Sequence, residues 1–243
     1  MYKTVSCLKG VGGALVPATH RVIEETPFRI VVNDRLLATV MASPVDLEEF
    51  ITGYLFTSRT IREIGEITSI EIDATSISVT VTKHGPLSGP ATESKAGSRA
   101  PLLKSRVPLD STFSYSRIIE GSSRVLETDH RRSAGGIHAA GLVCGDDTVL
   151  IAEDIGRHNA LDRVIGKALR THTDFSSAFV VLSGRISSEM IQKCITAGIP
   201  VIASRGAATS HAIESGAAAG ISVIGFVRAG DMVIYSCPER VHI

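Results

Sequence analysis

Two periodicities divide the chain. From residue 19 to 81 apolar and polar positions alternate in short runs that predict strands at His20–Glu25, Phe28–Val32, Leu36–Met41, Ile61–Asp73 and Ser76–Val81. Asn33-Asp34 between two β-branched runs predicts a hairpin. One helix interrupts this series. It starts at Ser43-Pro44, with Asp46 and Glu49 at capping-box spacing, and carries an apolar stripe of Leu47, Phe50, Ile51, Tyr54 and Leu55. Residues 84–106, rich in Gly, Pro, Ser and basic side chains, have no periodicity and read as a linker or a mobile loop. Ser111 to Glu127 reads as a helix with Ser111 as its cap.

Beyond residue 133 strands alternate with helices. A run of small residues, Ser133 to Gly141, allows close backbone approach, and His138 within it reads as an interior histidine rather than a ligand. Cys144 follows in a strand before a turn at Gly145-Asp146-Asp147. The next strands are Val149–Ala152, Ala178–Leu182, Pro200–Ala203, Ile221–Phe226 and Met232–Tyr235. Helical stripes lie between them: Leu161, Val164, Ile165, Ala168 and Leu169 after an Asn159 cap, then Met190, Ile191 and Ile195, then a small-residue helix. Such alternation predicts an α/β fold with a mainly parallel sheet covered on both faces.

Three loops in this half place polar residues where a strand ends and a helix begins. They are Asp154-Ile155-Gly156-Arg157-His158, Ser183-Gly184-Arg185 and Ser204-Arg205-Gly206. In an open α/β sheet that edge binds ligands, and free N–H groups with guanidinium forks suit anions. Any one loop is explained as well by helix capping and a solvated arginine; the set points to an anion or nucleotide site.

Composition narrows the classes. Lys+Arg 25 balances Asp+Glu 25, aromatics make up 5% and Trp is absent, so neither a nucleic-acid surface nor a stacking platform is supplied. Cys7, Cys144, Cys194 and Cys237 form no CxxC pair and no zinc spacing, which reads as reduced thiols with no structural metal. No signal peptide and no span of membrane length is present, so the expectation is a cytoplasmic protein without a membrane partner.

Five stretches in order resemble the formate dehydrogenase accessory sulfurtransferase family, FdhD. They are Gly135-Gly136-Ile137-His138-Ala139-Ala140, Asp154 to Asp162, Ser183 to Met190, Ala197-Gly198-Ile199-Pro200 and Gly225-Phe226-Val227-Arg228. Glu24-Glu25-Thr26-Pro27, the Asn33 hairpin and Pro44 to Phe50 with Gly53-Tyr54-Leu55 match more loosely. The resemblance implies a small α+β domain over 1–83, a linker over 84–106 and a cytidine-deaminase-like α/β domain over 107–243, its mixed sheet flanked by helices. It implies a homodimer that takes sulfur from a cysteine desulfurase, passes it to the molybdenum cofactor (bis-molybdopterin guanine dinucleotide) and serves formate dehydrogenase. In the family the segment after Gly225 binds that cofactor, which maps to Phe226, Val227, Arg228, Ala229, Gly230 and Asp231. Arg157, Arg185 and Arg205 join Arg228 as phosphate ligands, with GDP a surrogate for the cofactor; His158 and Asp154 suit either sugar and base edges or a structural role.

One departure bears on catalysis. The family's Cys-Gly-x-Cys-Gly loop corresponds to Thr92–Ala100, which reads Thr-Glu-Ser-Lys-Ala-Gly-Ser-Arg-Ala. Serine cannot carry a persulfide. Sulfurtransferase chemistry therefore comes by resemblance only, with no catalytic residue assigned, and the alternative is a non-catalytic chaperone for the cofactor or a guanine nucleotide. A zinc deaminase would need a His-x-Glu and a Pro-Cys-x-x-Cys, and neither occurs. No loop is a G-x-S-x-G elbow.

Overall fold

The computed structural model describes residues 2–82, 106–108, 110–127, 136–145 and 148–243. The expected linker (apart from its last residue, Arg106), the small residues before Gly136 and the turn at 146–147 lie outside the described residues.

The chain starts with a ribbon of which residue patterning announces only the end, at His20–Ile23: β1 (Tyr2–Val11) pairs along its whole length with β2 (Ala14–Ile23). Next come β3 (Thr26–Val32) and β4 (Arg35–Ala42), joined at Asn33 and Asp34, whose φ of 46° and 63° make the expected tight hairpin turn. After helix α1 (Leu47–Thr57) come β5 (Ile67–Ile72) and β6 (Ser76–Val81), giving a four-stranded sheet in the order β4-β3-β6-β5. The long strand expected from Ile61 begins only at Ile67. The Glu66 carboxylate accepts the Arg62 N–H at 2.8 Å and a 3₁₀ turn occupies Ile64–Glu66, so this stretch bends. The capping box also fails. Asp46 takes a left-handed φ of 40° and makes no side-chain cap bond. Phe50, Ile51 and Leu55 of α1 pack against Phe28, Ile30, Ile77 and Val79 of this sheet.

A six-stranded sheet follows: β8 (His138–Cys144), β9 (Thr148–Asp154), β10 (Ala178–Leu182), β11 (Val201–Ser204), β12 (Ser222–Arg228) and β13 (Asp231–Ile234), in the order β13-β12-β11-β10-β8-β9. The sheet is mixed rather than mainly parallel. Only β10–β11 and β11–β12 run parallel; β8–β9, β8–β10 and β12–β13 are antiparallel. Connections as short as those from β8 to β9 and from β12 to β13 can only reverse the chain, whereas a parallel pair needs a crossover of a dozen or more residues.

Alternation along β10 shows how both faces are covered. Val180 and Leu182 join a core with α3 (Arg157–Arg170), α4 (Ser188–Ala197) and α5 (Ser210–Ala219). Phe179 and Val181 point the other way, onto Ile118 and Val125 of α2 (Tyr115–Leu126). Helix starts differ from the sequence reading. Ser114 caps α2 by accepting the Arg117 N–H, and Ser111 instead donates to the Ser176 carbonyl at 2.5 Å. Helix α3 opens at Arg157 after Gly156, so Asn159 is no cap; its amide donates to Met41 O at 2.7 Å and Asp154 Oδ1 at 3.0 Å. Buried Arg240, beside the short strand pair β7 (Phe113–Ser114) and β14 (Val241–His242), donates to the carbonyls of Val107, Pro108, Ser111 and Gly220.

Candidate functional site

Strand directions bring the motif loops to one edge. Because β8 runs against both β9 and β10, its first residue, His138, lies at the same rim as the last residues of β9, β10, β11 and β12. Hydrogen bonds lace the loops together. Ser183 N–H donates to Ala139 O and Ala139 N–H to Ser183 Oγ, each at 2.9 Å. Ser204 Oγ donates to Gly184 O at 2.6 Å and accepts the Gly206 N–H at 2.9 Å, while Phe226 N–H donates to Gly206 O at 3.0 Å.

Gly184 is there because nothing larger fits: a Cβ on it would stand 2.9 Å from His138 Nδ1 and 3.5 Å from Arg157 Cδ. His138 and Arg157 thus close on the β10 loop. Arg157 is half-buried and its Nε has no hydrogen-bond partner, while Arg185, Arg205 and Arg228 are exposed. Phe226 is 41% exposed on a backbone held at φ 53°, beside a register shift between Gly225 and Arg228. A non-glycine residue in that conformation is strained, and strain of this kind gathers at ligand sites.

The four arginines share the rim without surrounding one cavity. Arg205, Val227, Arg228 and Ala229 open on a cavity of about 240 Å³ whose far wall is α2. Arg157, His158 and Arg185 lie further along, toward β9, outside that lining. Ala229 and Gly230 form the exposed turn into β13, which Asp231 opens, and Gly230 O accepts the Tyr115 hydroxyl at 2.5 Å. Asp154 is fully buried and pairs with Arg163 at 2.5 Å, so its role is structural.

His158 stands apart electrostatically. Burial pushes its pKa down to about 4, with help from Arg157, Lys193 and His138 and opposition from Asp162. Its Nε2 sits 3.3 Å from Glu189, but that carboxylate is 67% exposed and screened, so burial prevails and the ring is neutral at pH 7. Behind it Lys193 Nζ binds Asp162 at 2.6 and 2.7 Å and Thr57 Oγ1 at 3.1 Å. Burial, with Asp162, pushes the nearby Tyr54 up to about 12.

The thiols are poorly placed for sulfur chemistry. Cys194 is fully buried in the helical core and pushed up to about 12 by burial. Cys144 closes the opposite end of β8, on the order of 20 Å from the rim at strand rise, and burial raises it as well. Burial also raises Cys237. Cys7 lies on the β1 ribbon. Among the described residues no group of three or more His, Cys, Asp and Glu is placed to hold a metal ion, and no helix is long and apolar enough to cross a membrane. The sequence does not point to the α2 wall, since α2 reaches the rim only by packing on the face opposite α3, α4 and α5.

Known proteins resemble this chain over most of its length. A sulfur carrier protein FdhD from Bordetella petrii is 32% identical over 96% of this chain and 91% of its own length. One from Methanothermobacter thermautotrophicus is 34% identical over 91% and 92%. The crystal structure of a candidate formate dehydrogenase accessory protein from Desulfotalea psychrophila superposes with a TM-score of 0.83 at 26% identity, over 99% of both chains. The FdhD/NarQ family model matches residues 23–242. This chain belongs to the FdhD/NarQ family.

Proposed function

We propose that the chain is a formate dehydrogenase maturation factor that binds bis-molybdopterin guanine dinucleotide along the rim of its six-stranded sheet and assists the cofactor's sulfuration and delivery. The observation that carries this reading is the gathering of Arg157, Arg185, Arg205 and Arg228 at one sheet edge, beside exposed Phe226 and a cavity. Guanidinium forks suit the several phosphates of such a ligand, and an exposed aromatic ring suits a base. The protein acts in the cytoplasm as a homodimer, between a cysteine desulfurase and formate dehydrogenase. It comprises a small α+β domain (1–83), a linker (84–106) and a cytidine-deaminase-like domain (107–243).

A second reading rests on a specific observation: no cysteine occurs between Thr92 and Ala100, and burial raises Cys144, Cys194 and Cys237. In that reading the protein binds and hands on the cofactor or a guanine nucleotide without carrying sulfur. Titration with GDP tests the shared part: Arg185→Ala and Arg228→Ala each weaken binding by about tenfold. Unchanged affinity in both removes the rim assignment. Labelled sulfur passing from a cysteine desulfurase onto the chain excludes the second reading.

A further inference from the structure

Helix α2 lies close on its sheet because Gly121 has no side chain: a Cβ there would meet Phe179 and Val143 at 2.9 Å. That approach carries the next residue, Ser122, into the interior. Ser122 is 1% exposed, lines the cavity, and its hydroxyl has no hydrogen-bond partner. Buried hydroxyls without partners are uncommon and cost stability, so this one calls for an acceptor that a ligand would bring. Across the cavity stand Arg205 and Arg228, from the ends of β11 and β12. Ser123 and Glu127 are exposed lining residues, and the walls between are Ile119 and Leu126. Two guanidinium groups outweigh the one carboxylate, so the cavity favours an anion.

At about 240 Å³ the space is smaller than a site for a whole ligand, which usually takes roughly 300–1,000 Å³. It accommodates one group of a larger molecule whose remainder lies along the rim toward Phe226. We infer that this cavity is a phosphoryl subsite: Arg205 and Arg228 grip a phosphate ester or pyrophosphate from the open side, and the Ser122 hydroxyl donates to it from the floor. A tetrahedral, many-acceptor group matches donors converging from two sides. The inference rests on the rim being a nucleotide site and adds α2 as its second wall.

Calorimetric titration of the full chain with pyrophosphate, GDP and guanosine tests it, using wild type, Ser122→Ala and Arg205→Ala. Pyrophosphate is expected to bind the wild type and to compete with GDP, while guanosine does not displace it. Both variants should weaken pyrophosphate and GDP by about tenfold. Ser122→Ala should keep or raise its thermal midpoint, because it deletes an unpartnered hydroxyl rather than a contact. A lowered midpoint would make the hydroxyl structural and overturn the subsite. Failure of pyrophosphate to bind the wild type overturns it too, as does GDP binding equally to all three proteins; in that last case the rim reading survives. Pyrophosphate binding that is lost in both variants, with no GDP binding, supports the subsite and removes the nucleotide reading.

Discussion

Gly53 of α1 and Gly166 of α3 stand backbone against backbone. A Cβ on Gly53 would lie 1.8 Å from Asp162 O and 2.8 Å from Gly166 N, and one on Gly166 would lie 1.8 Å from Glu49 O. This crossing joins the helix of the four-stranded sheet to the helix that starts the rim. Gly53→Ala and Gly166→Ala are each expected to cost about 3 kcal/mol, read from urea unfolding. The double variant should cost less than the sum, since both methyl groups push open the same gap. Gly65→Ala, where nothing lies within 4 Å, serves as the control.

Asp154 anchors the start of α3 from inside. Its carboxylate accepts from Arg163 Nη2 at 2.5 Å, the Ser43 N–H at 3.2 Å, the Gly156 N–H at 2.9 Å and Asn159 Nδ2 at 3.0 Å. Asp154→Ala strands a buried guanidinium and should cost about 3–5 kcal/mol in equilibrium unfolding. Nucleotide affinity measured well below the melting temperature should fall too, because Arg157 follows this anchor by three residues.

Stability should fall on the acid side through His158. Its folded pKa of about 4 lies below the ordinary 6.5, so between those values the unfolded chain binds a proton that the folded chain refuses. The resulting loss is absent above pH 6.5, grows as pH falls and levels off below about 4. From pH 7 to pH 5 it amounts to about 2 kcal/mol. His158→Gln should flatten that slope in urea midpoints compared at the two pH values.

Phe226 trades backbone comfort for exposure. Phe226→Gly relieves a left-handed φ of 53° and should stabilise the fold by about 1 kcal/mol, raising the thermal midpoint by about 2–4 °C. GDP affinity should drop in the same protein through loss of the exposed ring. Stability and binding moving in opposite directions would mark the residue as functional; a parallel loss would mark it as packing.

Legibility in the sequence varied by the kind of information needed. Ser76–Val81 and Ala178–Leu182 fall within the bounds that alternation and apolar runs predict, and the Asn33-Asp34 turn forms as its chemistry requires. The helix starts expected at Ser111, Asp46 and Asn159 differ from those in the structure. Each is a competent cap, yet two of them found partners more than 60 residues away: Ser111 binds Ser176, and Asn159 binds Met41. Most of the β1–β2 ribbon, up to Thr19, is not legible because it buries no face, so its apolar positions, among them exposed Leu8 and Leu15, carry no inside-outside pattern.

By itself the sequence determined the alternation of strands and helices, the polar loops between them, and the lack of cysteine where a persulfide would sit, all of which are local properties of neighbouring residues. Only the tertiary structure decided that β8 and β9 enter antiparallel beside β10, which sets His138 against Gly184, and that α2 closes a cavity over Arg205 and Arg228. Backbone hydrogen bonds and apolar packing choose partners by fit across the whole chain, and local propensity holds no record of that choice.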